Sequence, residues 1–202
     1  IVESEGKRIA GDLHDTVSQE IFAAHMILSG LSQQASRLDK EKMQTQLQSV
    51  TAILETAQRD LRILLLHLRP IELEQKSLVE GIQLLLKELE EKSELKVSFK
   101  YQVDELPKKI EEHVFRIVQE LISNTLRHAQ ASCLDVYLYQ TETGLQLKVV
   151  DNGLGFQLDD VDELSYGLRN IKERVEDMAG SIQLLTAPKQ GLAVDIRIPL
   201  LD

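Results

Sequence analysis

The chain has 202 residues, 43% of them hydrophobic, with a formal net charge of −10 and one cysteine. That length suits one or two domains with a sizeable core. The acidic balance argues against nucleic acid as a direct partner, since phosphate contacts need clustered Lys and Arg. A single Cys133 excludes an internal disulfide and suits a reducing compartment. No apolar run approaches the roughly 20 residues that span a bilayer, and no signal peptide is apparent. Aromatic residues make up only 4% and Trp is absent, so Leu, Ile and Val must fill the core. The sequence starts at Ile1-Val2 and enters a helical pattern at once. That start reads as a cut from a longer protein and leaves room for a membrane segment upstream.

The first seventy residues read as two long helices. At about 100° per residue, Ile9, Leu13, Val17, Ile21, Ala24, Leu28 and Leu31 form one apolar stripe, with His14 at its edge, about 70° from the centre. Asp15 follows His14, and Gln19 lies one turn beyond Asp15, so the two can act together. Phe22 and Met26 continue that partly polar face; they either widen the core stripe or form a docking patch for a partner. Residues 32–42 are polar and read as a connection. In the second helix Met43, Leu47, Val50, Leu54, Ala57, Leu61, Leu64 and Leu68 alternate steps of four and three, a heptad seam. A hairpin with this much apolar face must bury it, and dimerisation into a four-helix bundle does so. Arg69-Pro70 ends the helix and predicts a boundary between domains 1–70 and 71–202.

The second domain reads as α+β. Ser77 to Glu80 has the spacing of a capping box, opening a helix to about residue 91. Residues 95–103 alternate with period two and predict a strand. Pro107 opens a long helix to about Ala129. Residues 133–140 and 145–150 predict strands joined by Thr141-Glu142-Thr143-Gly144. A helix over 168–179 follows, with Gly180 expected as its C-terminal cap. Residues 181–186 and 192–199 predict a last hairpin. Such an order predicts one mixed sheet covered by helices on one face.

Candidate chemistry gathers in three places. In the helix after Pro107, His113, Arg116, Glu120, Asn124 and Arg127 fall within about 40° of one direction. A solvated face is the plain reading. Asn is a poor helix former in mid-helix, however, and an acid, an amide and a cation at one-turn spacing suit a carboxylate–metal–phosphate arrangement. Asp151-Asn152-Gly153-Leu154-Gly155-Phe156 directly follows a predicted strand. Gly167-Leu168-Arg169-Asn170 opens a helix, where backbone N–H groups and the helix dipole favour an anion. The acidic, non-periodic segment 157–165 between the glycine elements is a candidate mobile lid.

Glu120-x-x-x-Asn124-x-x-x-His128-Ala129, Asp151-x-Gly153-x-Gly155 and Gly167-Leu168-x-Asn170 resemble, in order and spacing, the N, G1 and G2 boxes of the Bergerat-fold (GHKL) ATPases. That family includes histidine kinases and the chaperone, mismatch-repair and gyrase B ATPases. Arg8-Ile9-Ala10-x-Asp12-Leu13-His14-Asp15-x-Val17-x-Gln19 resembles the dimerisation and phosphoacceptor motif of the NarX/DesK class of histidine kinases. The whole chain is most similar to the LiaS/VraS group, which senses cell-envelope stress.

The resemblance implies an N-terminal helical hairpin forming a dimeric four-helix bundle, followed by an α/β-sandwich ATP-binding domain. It implies His14 as phosphoacceptor, Asp15 as the base drawing the imidazole proton, and Gln19 as the residue orienting water to dephosphorylate the partner. Glu120 would assist γ-phosphoryl transfer and Asn124 would hold Mg²⁺, with Arg127 and His128 near the phosphates. Asp151 would accept the adenine amino group. Gly153 and Gly155 would give close backbone approach, and Gly167 and Leu168 would meet the nucleotide at the lid hinge. The implied partners are a second copy of the chain and a response regulator with a DNA-binding output domain, the whole being the cytoplasmic portion of a membrane-anchored bacterial sensor. Asp12 stands where the class usually has Glu, and Leu192 where the family usually has Thr after Gly191. His25, His67 and His113 are further histidines, of which His25 lacks an adjacent acid. The competing readings are a mechanical Bergerat-fold ATPase and a non-enzymatic dimeric interaction module. Against the second, Glu120, Asn124, Asp151, Gly153 and Gly155 are all present.

Overall fold

The structure is a computed structural model that describes residues 2–34, 39–68, 76–157 and 166–200. The chain divides into two compact units, Ile1–Arg69 and Pro70–Asp202. The predicted helix end at Arg69-Pro70 and most of the predicted lid, 158–165, lie outside the described residues.

The first unit is a pair of packed helices, α1 (Val2–Gln34) and α2 (Lys40–Leu68). Helix α1 runs three residues past the expected start of the connection. Helix α2 begins two residues before its expected end, because Asp39 caps it, its Oδ1 accepting the Lys42 N–H at 2.8 Å. The two stripes divide in a regular way. Val17, Ala24 and Leu31 on α1, and Val50, Ala57 and Leu64 on α2, each seven apart, are buried between the helices. Ile21 and Leu28, and Leu47, Leu54 and Leu61, occupy the alternate positions of the same seams and are exposed. Among the described residues, one hairpin therefore buries alternate positions of each seam and leaves those between them exposed. Phe22 and Met26 are exposed as well.

In the second unit α3 (Leu78–Lys92) opens with the expected capping box: Ser77 Oγ accepts the Glu80 N–H, and Glu80 Oε2 accepts the Ser77 N–H at 2.8 Å. After β1 (Lys96–Gln102) comes α4 (Lys108–Asn124), which continues as a π-helical turn, Thr125–Ala129. Buried Glu111 on α4 accepts the Leu78 N–H and so ties the starts of α3 and α4 together. Strands β2 (Cys133–Thr141) and β3 (Gly144–Asp151), helix α5 (Tyr166–Asp177), and strands β4 (Ser181–Thr186) and β5 (Leu192–Ile198) complete the unit.

The five strands form one sheet in the order β1-β2-β3-β5-β4, parallel between β1 and β2 and antiparallel elsewhere. Alternate residues point under the helices. Val136, Val149 and Val194 line up across three strands, as do Leu138, Leu147 and Ile196, and all are buried. Helices α3, α4 and α5 pack on this side. The mixed sheet expected from the sequence is thus present.

The cap of α5 differs from expectation. Ala179, not Gly180, takes the left-handed conformation, with φ 52°. Gly180 is needed for space: a Cβ there would lie 2.6 Å from the Arg197 carbonyl oxygen as the chain turns into β4.

Candidate functional site

A cavity of about 360 Å³ opens where α4, the loop after β3, the start of α5 and the start of β5 meet. Its walls are Asn124, Thr125, His128 and Ala129, then Asp151, Gly155 and Phe156, with Leu168 and Leu192. Residues 145, 147, 149 and 151 share the helix-facing side of β3, so Asp151 sits in register with Leu134 and Leu192 and is buried. Its carboxylate accepts the Gly153 N–H at 2.8 Å and is also held by the Leu192 N–H and the Thr125 hydroxyl. Burial pushes the Asp151 carboxyl above the usual carboxylate range, and those three donors pull it back. The Thr125 Oγ1 also lies 3.1 Å from the Leu121 carbonyl oxygen and has one proton for the two acceptors; the charged acceptor is the stronger of the two. A carboxylate has about four acceptor directions, so Asp151 keeps one for a donor in the cavity.

The glycines mark close approaches of backbone to backbone. A Cβ on Gly153 would strike the Ala129 carbonyl oxygen, which accepts the Leu154 N–H at 2.7 Å. The end of the π-helical turn is therefore closed by the loop after β3. Irregular turns of this kind recur at functional sites. Asn152 pins the same junction, its Oδ1 accepting the N–H groups of Ser132 and Cys133, each at 2.9 Å.

At the other end of the cavity a Cβ on Gly167 would strike Glu120 Oε1 and lie 3.2 Å from Asn124 Oδ1. The start of α5 thus lies directly on the acid and amide of α4. The Asn124 Nδ2 is buried without a hydrogen-bond partner among the described residues. Burial raises the Glu120 carboxyl above its ordinary range, with Arg127 and Arg174 opposing the shift. His113 and Arg116, which share the Glu120 stripe, do not line the cavity. They are half-buried beside Arg174 of α5, and burial lowers both of their pKa values. The stripe is a polar seam between two helices at one end and a cavity wall at the other.

In the first unit His14 and Asp15 are 74% and 80% exposed, with His14 Nδ1 3.5 Å from Asp15 Oδ1. Ser18 donates to the His14 carbonyl at 2.8 Å, and Gln19 is exposed one turn on.

Residues 5–73 match a family described as histidine kinase, and residues 109–202 match the histidine kinase-, DNA gyrase B-, and HSP90-like ATPases. The sensor proteins VraS of Staphylococcus epidermidis and Staphylococcus aureus are 42% and 40% identical to the chain over 200 residues. The alignments cover 99% of the chain but 57% of those relatives, so the chain spans little more than half their length. The chain belongs to the histidine kinases. Solved structures similar to this chain are the histidine kinase domain of the blue-light activated kinase of Erythrobacter litoralis and the histidine kinase AdeS of Acinetobacter baumannii. The first has a TM-score of 0.51 at 19% identity, covering 87% of the chain and 96% of that structure. The second has a TM-score of 0.51 at 16% identity, covering 91% and 96%. At these identities the likeness concerns the fold.

Of the kinase residues singled out from sequence, Asn124, His128, Asp151, Gly155 and Leu168 line the cavity. Gly153 and Gly167 form its supports, and Glu120 with nearby Arg127 lies at the Gly167 end. Thr125 and Phe156 were not singled out. Thr125 lies about 140° from Glu120 in α-helical register, and so reads as core. It is buried, at the point where core and cavity meet.

The raised Glu120 carboxyl predicts a cost in stability. An acid whose folded pKa lies above its unfolded one binds protons more tightly when folded, so stability falls as pH rises through the window between the two. Glu120→Gln removes that burden. Its Tm is expected to exceed wild type by a few degrees at pH 8, with the gain disappearing as the pH approaches 4, measured by calorimetry. A Tm difference independent of pH would contradict the assignment.

Proposed function

We propose that the chain is the ATP-using and phosphoacceptor portion of a dimeric two-component sensor kinase. ATP binds residues 71–202, its γ-phosphoryl group passes to His14, and an aspartate of a response regulator with a DNA-binding output domain receives it next. The observation that carries this reading is the single cavity lined by Asn124, His128, Asp151, Gly155 and Leu168, drawn from three separate stretches of chain. In this reading Asp151 accepts the adenine amino group. Arg127 and His128 face the phosphates, and Glu120 assists transfer.

Asp15 beside Nδ1 favours the tautomer with its proton on Nδ1, leaving the lone pair on Nε2. Nε2 attacks the γ-phosphorus, the bond to the bridging oxygen breaks, ADP leaves, and Asp15 draws the Nδ1 proton. Gln19, one turn from Asp15, orients water for the reverse removal of phosphate from the regulator. Mg²⁺ takes oxygen ligands, few of them from protein; the oxygens of Asn124 and Glu120 beside Gly167 fit it. Asn124 would hold the ion, which neutralises phosphate charge. We read the whole protein as a membrane-anchored sensor of cell-envelope stress. No helix among the described residues is long and apolar enough to cross a membrane.

The test is incubation with γ-labelled ATP followed by mild acid. Acid-labile label is expected, as for a phosphoramidate; acid-stable label would mean a Ser, Thr or Tyr ester.

The exposed half-seams support dimerisation, since a second hairpin covers Leu47, Leu54, Leu61, Ile21 and Leu28 with like residues. In a two-fold bundle Leu54→Lys buries two charges. Sedimentation is expected to show dimer dissociation strengthened by about a hundredfold or more, with helicity retained. A variant as dimeric as wild type would remove Leu54 from the interface.

A further inference from the structure

We propose that Thr186 is a positioning residue of the nucleotide site, a hydroxyl latch holding the loop after β3 against the turn between β4 and β5. The inference deepens the ATP-binding reading and rests on it. Thr186 ends β4, in register with Leu192. Its Oγ1 accepts the Phe156 N–H at 3.1 Å and donates to the Gly191 carbonyl at 2.8 Å. One hydroxyl, both donor and acceptor, thus satisfies a backbone group on each segment.

Both ends of the latch bear on the cavity. Phe156 lines it directly. Leu192, next to Gly191, lines it with its side chain and gives its N–H to Asp151. Around the latch the segments meet backbone to backbone. Lys189 N–H donates to the Leu154 carbonyl. A Cβ on Gly155, at φ +58°, would strike the Ala187 carbonyl oxygen and lie 2.8 Å from that of Gly191. Gly191, at φ +72°, abuts the Asp151 carbonyl in the same way. The turn itself is exposed at Pro188, Lys189 and Gln190, and Lys189 holds the left-handed conformation at φ 63° without being glycine. The turn is closed by the Gln190 N–H donating to the Ala187 carbonyl at 3.0 Å, and the Thr186 bridge ties it to the loop after β3 through a side chain. The cavity wall at Leu192 is apolar, so its fit to a base depends on where the backbone sets it.

The test compares wild type, Thr186→Val and Thr186→Ser in the full chain. Valine keeps the shape and removes the hydroxyl; serine keeps the hydroxyl. Thr186→Val is expected to raise the KM for ATP in autophosphorylation about tenfold, leaving kcat within twofold, and Thr186→Ser to restore the KM to within twofold of wild type. Amide exchange at Phe156, measured without nucleotide, is expected to accelerate about tenfold in the valine variant alone. A valine variant with the wild-type KM, even with a lower Tm, overturns the proposal. So does a serine variant as impaired as the valine one, or unchanged exchange at Phe156. Failure of wild type to bind ATP would instead overturn the ATP-binding reading, and the exchange measurement would still report on the latch.

Discussion

Replacing His14 with Ala is expected to lower label incorporation from γ-labelled ATP by about a thousandfold or more, with ATP affinity within twofold of wild type. The two halves of that expectation come from different parts of the chain. The cavity is lined by residues of Pro70–Asp202, whereas His14 belongs to Ile1–Arg69. The acceptor, by contrast, has no substitute of equal chemistry nearby. His25 is exposed about three helical turns along α1, but no carboxylate adjoins it in sequence, so neither its tautomer nor its developing charge is supported as Asp15 supports His14. Asp15→Asn keeps the ring and removes the charge, and should fall between wild type and His14→Ala. Label retained by His14→Ala would move the acceptor elsewhere; loss of ATP binding in the same variant would mean that the units are not independent.

What was legible in the sequence follows from what periodicity can report. A heptad seam on α2 and the matching stripe on α1 identified the hairpin. The capping box at Ser77, the alternation over residues 95–103 and the hairpin signal of Thr141 to Gly144 placed the start of α3, β1 and the β2–β3 pair. The motif around Asp151 was legible because its residues are contiguous and special, with glycine where a Cβ would strike another backbone. Periodicity reports the faces of single elements but not which elements meet. It could not divide the α2 seam into a half buried within the hairpin and a half left exposed. Nor could it tell that His113 and Arg116 meet α5 whereas Asn124, about two to three turns on, meets the cavity. Thr125 and Thr186 escaped for a related reason. A threonine hydroxyl in mid-sequence carries no signal until tertiary register sets it beside a buried carboxylate, or between two backbone segments. Gly180 misled because helix capping and tight packing call for the same residue, and here packing was the cause.

Asp151→Asn is expected to raise the Kd for ATP about a hundredfold, or ~2.7 kcal/mol, and also to change which base is preferred. Three donors converge on the wild-type carboxylate: the N–H of Gly153, the N–H of Leu192 and the Thr125 hydroxyl. An isosteric amide has one oxygen, which accepts at most two of those donors, so one bond to the fold is lost and the NH₂ group stands where the carboxylate offered the cavity an acceptor. A donor then meets the adenine amino group, itself a donor. The loss of a charged hydrogen bond, about 1.5–3 kcal/mol, is compounded by that mismatch. Guanine carries a carbonyl oxygen where adenine carries its amino group. The wild-type carboxylate therefore repels it, and GTP is expected to bind wild type far more weakly than ATP, as sites built around a buried polar group discriminate most strongly. In the variant the amide can donate to the guanine oxygen, so the ratio of ATP to GTP affinity should fall sharply even as ATP affinity itself drops. Titration of both nucleotides against both proteins measures all four constants. An unchanged ratio in Asp151→Asn would place the base somewhere other than against Asp151, whatever happened to the affinity for ATP.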